Sequence, residues 1–251
     1  MSIVVLKTTC MIWKWYDSKL VRIEDASPTV KRFWLELPEG SNFSFRAGQF
    51  ITLDLPISEK RTKRWRSYSI ANAPQEDNGL IELCIVHLEG GAGSTYLFEE
   101  AQVGDTLKFK GPSGTFTLPE KIEKEIVMIC TGTGVAPFRS MIRDLQNRKR
   151  PHQKIHLIYG TRYANNILYQ EEFEAWAASN EAFTYSVALS REEYQGYQGY
   201  VHELYKNAYA EVNPDRMFYL CGWSSMIDEA VETLILEMGY DKRQILYELY
   251  D

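Results

Sequence analysis

Cysteine is scarce and scattered. The four, Cys10, Cys84, Cys130 and Cys221, stand far apart, with no C-x-x-C and no paired histidines beside them. That spacing excludes a zinc site or an iron–sulfur cluster within the chain. A chain of 251 residues has no need of disulfides to hold a core, so a reducing, cytoplasmic setting is expected. Long apolar runs are missing as well. The first sixteen residues are apolar only in patches, Ile3-Val4-Val5-Leu6 and Met11-Ile12-Trp13, broken by Lys7 and Lys14. Nothing approaches the roughly 18 residues that a membrane span needs. No small-residue cleavage site follows a basic leader either, and residues 1–16 read as an added strand or a docking segment. Positive charge is in deficit, 28 Lys and Arg against 34 Asp and Glu, for a formal net charge of -6. General nucleic-acid binding, which wants a basic face, is excluded on that ground. Repeats and low-complexity stretches are absent.

What is present is a globular composition, 45% hydrophobic and 25% charged, in a chain long enough for one large domain or two ordinary ones. Two textures divide it. Over residues 17–119 the pattern predicts short strands at 19–23, 30–37, 48–54, 80–88 and 107–110, rich in branched and aromatic residues. Turns such as Pro38-Glu39-Gly40, Asp77-Asn78-Gly79 and Gly111-Pro112-Ser113-Gly114 separate them, and one helix near 94–100 interrupts them. Many short strands with turns between predict an antiparallel barrel or sandwich. Over residues 120–251 strands at 126–130, 154–159, 183–189, 216–221 and 245–249 alternate with helices at 138–148, 167–179, 202–210 and 225–238. The run Ile126-Val127-Met128-Ile129-Cys130 has no polar position, as expected of a strand buried on both faces. This alternation predicts a parallel α/β sheet with right-handed crossovers.

Four stretches carry chemistry. Arg66-Ser67-Tyr68-Ser69 follows a basic run over residues 60–65. On a strand Arg66 and Tyr68 share one face, Ser67 and Ser69 the other. A cation, a planar aromatic and a small hydroxyl suit a ligand with a phosphate and a flat ring, although an ordinary half-buried strand can carry the same residues. Thr131-Gly132-Thr133-Gly134-Val135-Ala136-Pro137 ends the first strand of the second half. Its glycines allow a tight turn and close backbone approach. Pro137 suits a first helical turn, and the free N–H groups there form an anion site for a pyrophosphate. It is not G-x-G-x-x-G, because Pro137 takes the third position, and a plain strand-to-helix turn reads the same way. In Gly90-Gly91-Ala92-Gly93-Ser94-Thr95-Tyr96-Leu97, Ser94 can cap a helix whose start faces phosphate. Tyr219-Leu220-Cys221-Gly222 closes a buried strand, where a cysteine is also simply a small hydrophobe.

In this order the motifs resemble the ferredoxin–NADP reductase family over residues 17–251. The resemblance implies an antiparallel Greek-key β-barrel flavin domain, residues 17–119, then a parallel α/β nicotinamide-nucleotide domain, residues 120–251. Residues 1–16 would be an extension. It implies an FAD-dependent enzyme in which hydride passes between NAD(P)H and flavin N5. Electrons then go to a separate one-electron carrier, an acidic ferredoxin or flavodoxin, or to an oxygenase, since no cysteine cluster is fused to the chain. Matched by position, Arg66 would hold the flavin pyrophosphate, Tyr68 would stack on the isoalloxazine, and Ser67 and Ser69 would flank it, with Ser69 beside N5. Ile85 would line the same site, and Gly93, Ser94 and Thr95 would form the second phosphate motif. Thr131, Gly132, Thr133, Gly134 and Pro137 would take the nucleotide pyrophosphate, with Gly160 and Arg162 farther along and Cys221, Gly222 and Met226 near the nicotinamide. The implied catalytic set is Ser69, a positional Cys221, Glu248 as proton relay and Tyr250 covering the flavin face. Asp251 adds one residue beyond the family's terminal aromatic.

Ser190-Arg191 resembles the serine–arginine pair of NADP(H) users, so NADP(H) is favoured over NAD(H) through a charge-assisted arginine–phosphate contact. The further arginine of plant-type members is not evident in residues 197–201, and Arg162 is shared by both preferences. The basic run over residues 60–66 would dock an acidic carrier, or is a solvated loop serving the flavin phosphates. Two alternatives stand beside this reading: a flavin reductase or oxygenase reductase component using NADH, and a non-catalytic flavin- or nucleotide-binding redox sensor.

Overall fold

The computed structural model describes residues 14–74 and 79–250. Most of the expected extension (residues 1–13), Asp77-Asn78 of one expected turn, Cys10 and Asp251 lie outside the described residues. The first half builds an antiparallel sheet from β1 (Trp15–Ser27), β2 (Val30–Glu36), β3 (Phe50–Asp54), β4 (Trp65–Ser69), β5 (Leu80–Val86) and β6 (Thr106–Ser113). Their order is β4-β3-β6-β1-β2-β5, with β6 inserted between β3 and β1 in Greek-key fashion. The two end strands meet. Ile70, just past β4, bridges Leu83 of β5, and the Ala71 N–H donates to the Glu82 carbonyl at 2.8 Å, which closes the barrel. Leu20, Phe33, Leu35, Ile51, Leu53, Leu83 and Phe109 fill its interior.

Two features depart from the sequence pattern. β1 begins at Trp15, inside the expected extension, because Trp15 to Lys19 pair with Lys110 to Thr106 of β6. The basic run holds a helical turn, α1 (Arg61–Arg64), ahead of β4. The expected helix near 94–100 is α2 (Ala92–Thr95), continued by a π turn over Tyr96–Glu100.

The second half is a parallel sheet of β7 (Glu125–Thr131), β8 (Ile155–Thr161), β9 (Phe183–Leu189), β10 (Tyr197–Gln198), β11 (Arg216–Trp223) and β12 (Ile245–Tyr250). Its order is β10-β9-β8-β7-β11-β12. The helices are α3 (Val135–Arg148), α4 (Gln170–Ser179), α5 (Val201–Ala208) and α6 (Ser224–Glu232), the last followed by a π turn over Thr233–Glu237. The continuous apolar run of β7 serves both layers. Ile126, Met128 and Cys130 join α3 and α4, whereas Val127 and Ile129 join α5 and α6. The helix expected over 167–179 starts only at Gln170. Ile167 and Leu168 are buried in an extended segment, and Tyr169 turns left-handed at φ 56 before the helix begins. The two-residue β10 is too short for any periodic pattern to announce. Among the described residues no helix is long and apolar enough to cross a membrane.

α3 lies between the two sheets. Its apolar positions recur at helical spacing, Val135, Phe138, Ile142 and Leu145, and all are buried. One hydrophobic cluster runs from these residues into Ala47, Ala71, Cys84, Phe116 and Leu118 on the barrel side. The rings of Phe116 and Phe138 sit 5.7 Å apart across the junction. Phe138→Ala would open a cavity at this shared core, and a loss of about 3–5 kcal/mol is expected in chemical denaturation. A loss below about 1 kcal/mol would mean that the junction collapses freely and that the two halves are not packed as one core.

Candidate functional site

The strand order of the parallel sheet reverses at β7, with β8 on one side and β11 on the other. In such sheets the crevice outside the carboxyl ends at the switch point is where ligands bind. Thr131 ends β7 there, and Gly132–Gly134 form a tight turn that runs directly into α3. A side chain at Gly134 would strike the Cys221 carbonyl oxygen at 2.4 Å, so only glycine lets this turn lie against the end of β11.

The barrel faces this crevice with β4, and a cavity of about 660 Å³ opens between the sheets. Twelve expected site residues line it: Arg66, Ser67, Tyr68, Ser69, Ile85, Gly93, Ser94, Thr131, Thr133, Gly222, Glu248 and Tyr250. All four motif residues of β4 reach the cavity, so the expected division between two faces does not separate them. β4 ends one side of the sheet order and joins β5 only through the Ile70–Leu83 bridge, which leaves the strand open to the cavity.

Arg66 and the glycine-rich segment meet directly. The Arg66 Nη1 donates to the Lys63 carbonyl at 3.0 Å and the Trp65 carbonyl at 2.8 Å, which fixes its direction. Its stem lies so close to Gly93 that a Cβ there would sit 2.7 Å from the Arg66 Cγ. Among the described residues this guanidinium has carbonyl partners and no carboxylate, so its charge is available to an anion. Ser67 shares a hydrogen bond with Thr52, Oγ to Oγ1 3.0 Å. Burial pushes the Tyr68 hydroxyl up to about 12 against the opposing charge of Arg66. Ser94 does not cap α2, whose cap position is Gly91. Its hydroxyl accepts from Leu88 N at 3.0 Å and shares its one proton between the Leu88 and Gly91 carbonyls, locking the loop instead.

Ser69 and Glu248 join the sheets. The Ser69 Oγ donates to Glu248 Oε2 at 3.1 Å, linking β4 to β12. Burial raises the Glu248 carboxyl to about 7, only partly offset by that hydrogen bond. Three buried polar atoms of lining residues lack a well-formed partner: Thr131 Oγ1, Trp65 Nε1 and Tyr250 Oη, the last beside Ser69 and Cys221. A buried unpaired polar group costs about 1–3 kcal/mol. Three at one cavity are what a site built for a polar, ring-bearing ligand shows. With the free charge of Arg66 and the glycine cradle, the lining fits a flavin and a nicotinamide nucleotide.

The other expected residues lie behind or beyond the cavity. Cys221 is fully buried between Cys130 of β7 and Glu248 of β12, directly behind the lining residues Gly222 and Tyr250, and burial pushes its thiol up. Gly132, Gly134 and Pro137 belong to the turn and the start of α3, Thr95 ends α2, and Met226 packs in α6 beneath Gly222. Gly160 serves packing, since a Cβ there would meet Val201 of α5 at 2.6 Å. Arg162, Ser190 and Arg191 stand at the ends of β8 and β9, where Ser190 N donates to Thr161 O and Arg191 N to Arg162 O at 3.1 Å. The sequence reading missed Phe50, Trp65, Val86, Leu88, Trp223 and Leu249, all lining residues. Only Trp65 carried a signal, as a large aromatic beside the motif. It lies 5.9 Å from Trp15, with the Lys110 ammonium 3.7 Å over its ring.

Comparison with known proteins agrees with this geometry. A model described as an oxidoreductase FAD-binding domain matches residues 17–118, and one described as an oxidoreductase NAD-binding domain matches residues 128–232. The chain is 34% identical over 244 residues to ferredoxin–NADP reductase B of Sorangium cellulosum, covering 94% of this chain and 98% of that protein. It is 34% identical over 231 residues to the phenol hydroxylase P5 protein of Acinetobacter pittii, covering 90% of this chain and 63% of that longer protein. A solved ferredoxin NADP+ reductase from Neisseria gonorrhoeae with bound FAD and NADP superposes with a TM-score of 0.80 at 26% identity, covering 94% of this chain and 98% of that one. An antiparallel barrel matched as FAD-binding, a parallel sheet matched as NAD-binding and a cavity at their junction make this chain a flavoprotein oxidoreductase, and it belongs to the ferredoxin–NADP reductase family.

Proposed function

We propose that this enzyme passes electrons between NADPH and a separate acidic one-electron carrier, a ferredoxin or flavodoxin, with residues 17–119 as the flavin unit and 120–251 as the nucleotide unit. The observation that carries the reading is the convergence of β4, the Gly93–Ser94 segment, the Thr131 turn and β12 on one cavity. When bound, FAD would supply the conversion between two-electron hydride transfer from nicotinamide and single-electron release. The residues of the chain hold, orient and gate. Arg66 neutralises a pyrophosphate. Tyr68 and Tyr250 form two walls of the ring site, with Tyr250 covering the face that the nicotinamide needs. Thr131 and Thr133 present hydroxyls between the two ligands, and the start of α3 offers free N–H groups to the second pyrophosphate.

Ser69 and Glu248 handle a proton. Near neutral pH the Glu248 carboxyl, at about 7, both holds and releases one, and Ser69 Oγ at 3.1 Å is the group to which it passes. NADPH is preferred because Arg191 stands at the end of β9 as an exposed guanidinium without an ion-pair partner among the described residues. A 2′-phosphate would give it a charge-assisted contact. The acidic carrier docks on the basic surface of α1, where Lys60, Arg61 and Lys63 are exposed next to the lining residue Trp65. Likeness to the phenol hydroxylase P5 protein and to a phenol 2-monooxygenase reductase component favours a second reading, the reductase component of an oxygenase.

Purified protein is expected to hold FAD, and NADPH is expected to bleach it faster than NADH in stopped flow. Arg191→Ala should slow the NADPH reaction by about 10-fold or more, as for loss of a hydrogen bond to a charged group, and leave NADH near its starting rate. Equal loss with both would overturn the 2′-phosphate assignment.

Glu248→Gln gives a second check through stability. The folded carboxyl titrates at about 7 against 4.5 unfolded, so between those values the folded state keeps a proton that the unfolded chain has lost. The stability this lends is full below pH 4.5 and gone above 7. Glutamine never ionises. The variant should therefore gain on wild type as pH rises through that window, by on the order of 3 kcal/mol at pH 8. A difference that does not change with pH would show that Glu248 ionises as an ordinary surface carboxylate.

A further inference from the structure

Glu82 of β5 is 3% exposed, and its carboxylate is shared by three elements of the fold. Arg32 Nε of β2 donates to Oε1 at 2.7 Å, Tyr169 Oη to Oε1 at 2.9 Å, and Arg139 Nη1 of α3 to Oε2 at 2.8 Å. Burial alone would raise this carboxyl. The charge of Arg139, with the hydrogen bond and charge of Arg32, outweighs it and holds the group below its ordinary value. Arg139, itself 6% exposed, also donates Nε to Glu172 Oε2 at 2.9 Å and Nη1 to the Ala71 carbonyl at 2.9 Å. Its guanidinium lies 4.4 Å over the Tyr169 ring, the residue whose left-handed backbone precedes α4.

The next residue repeats the grip. Ser140 Oγ donates to the Asn72 carbonyl at 2.7 Å, and the Asn72 side chain in turn binds Leu80 O and Glu82 N. Ala71 and Asn72 follow β4 almost at once, and Arg139 and Ser140 lie about one helical turn past the Thr131–Gly134 turn. The two walls of the cavity are therefore joined through side-chain bonds to the chain just beyond each wall. A buried ion pair contributes little net stability, but it tolerates few alternative arrangements of its surroundings.

We infer that Arg139 and Ser140 are positioning residues that set the spacing between the nucleotide turn and β4, so that the two rings meet in contact. This rests on the cofactor reading proposed above. It reaches beyond that reading to residues that touch neither ligand.

The test uses the FAD-loaded full chain carrying Arg139→Met, with Ser140→Ala as the milder variant should the first not fold. Spin labels at the exposed positions Val103 and Leu236 (61% and 74% exposed) report the spacing of the two halves by pulsed electron resonance. For Arg139→Met, FAD content and NADP+ affinity are expected to stay within about twofold. The single-turnover rate with NADPH should fall by on the order of 100-fold, the scale of an ångström of misplacement, and the label distances should broaden. Ser140→Ala should lower the rate about fivefold, the worth of one hydrogen bond. A rate that falls only in step with NADP+ affinity, or label distances as narrow as those of the parent, would overturn the inference. A parent that keeps its FAD but is not reduced by NADPH would instead refute the proposed function, and the label distances would still decide the positioning role.

Discussion

A carboxylate placed in the interior must find a counter-charge, and for Glu82 part of that charge comes from the other half of the molecule. The Arg139 guanidinium crosses from α3 to reach it, while Arg32 approaches from within the barrel. Removing one partner of such a pair costs about 3–5 kcal/mol, because the other charge is left buried and alone. Replacing the whole set with apolar groups would cost little. The network is therefore poor at making the protein stable and good at making it stable in one arrangement only. The apolar junction does the complementary work: the cluster through Phe116, Phe138 and Met141 excludes water without dictating a unique register.

Charge is distributed unevenly to suit this design. The chain carries a net charge of -6, yet its cations gather where the structure needs them. Arg139 and Arg32 sit at the junction, Arg66 at the cavity, and Lys60, Arg61 and Lys63 at and just before α1 beside it. Lys110 and Arg61 lie over the rings of Trp15 and Trp65, which keeps two large aromatics ordered at the cavity edge. Local basic sites in an acidic protein can attract anions without drawing nonspecific polyanions.

Much of the architecture was legible because it is written in local periodicity. The uninterrupted apolar run of β7, the alternating barrel strands and the spacing of Val135, Phe138 and Ile142 each report their surroundings directly. The glycine turn at Thr131 was legible for a similar reason, since close backbone approach leaves no choice of residue at Gly134. What escaped depends on contacts distant in sequence. Neither Glu82 nor Arg139 stands out in the sequence, because neither local pattern names a partner 57 positions away. Ser94 was misread as a helix cap because its true partners, Leu88 and Gly91, lie in the loop it ties, a geometry that residue type alone does not distinguish. Tyr169 delays the start of α4 with no glycine or proline to mark the place; the hydrogen bond to Glu82 and the two arginines near its ring hold it there.

The chemistry of the cavity follows from the same docking. Ser69 and Glu248 are 179 positions apart, on strands of different sheets, and meet only when the halves are joined. Burial is the chief reason that the Glu248 carboxyl titrates near 7, and burial at that point is a property of the junction, since the barrel wall covers one side of β12. A carboxylate on an isolated parallel sheet would face water and ionise near its ordinary value. The raised Glu248 carboxyl held against Ser69 is thus less a feature of either residue than of the angle between the two sheets. The buried contact between Glu82 and Arg139 restricts that angle most directly.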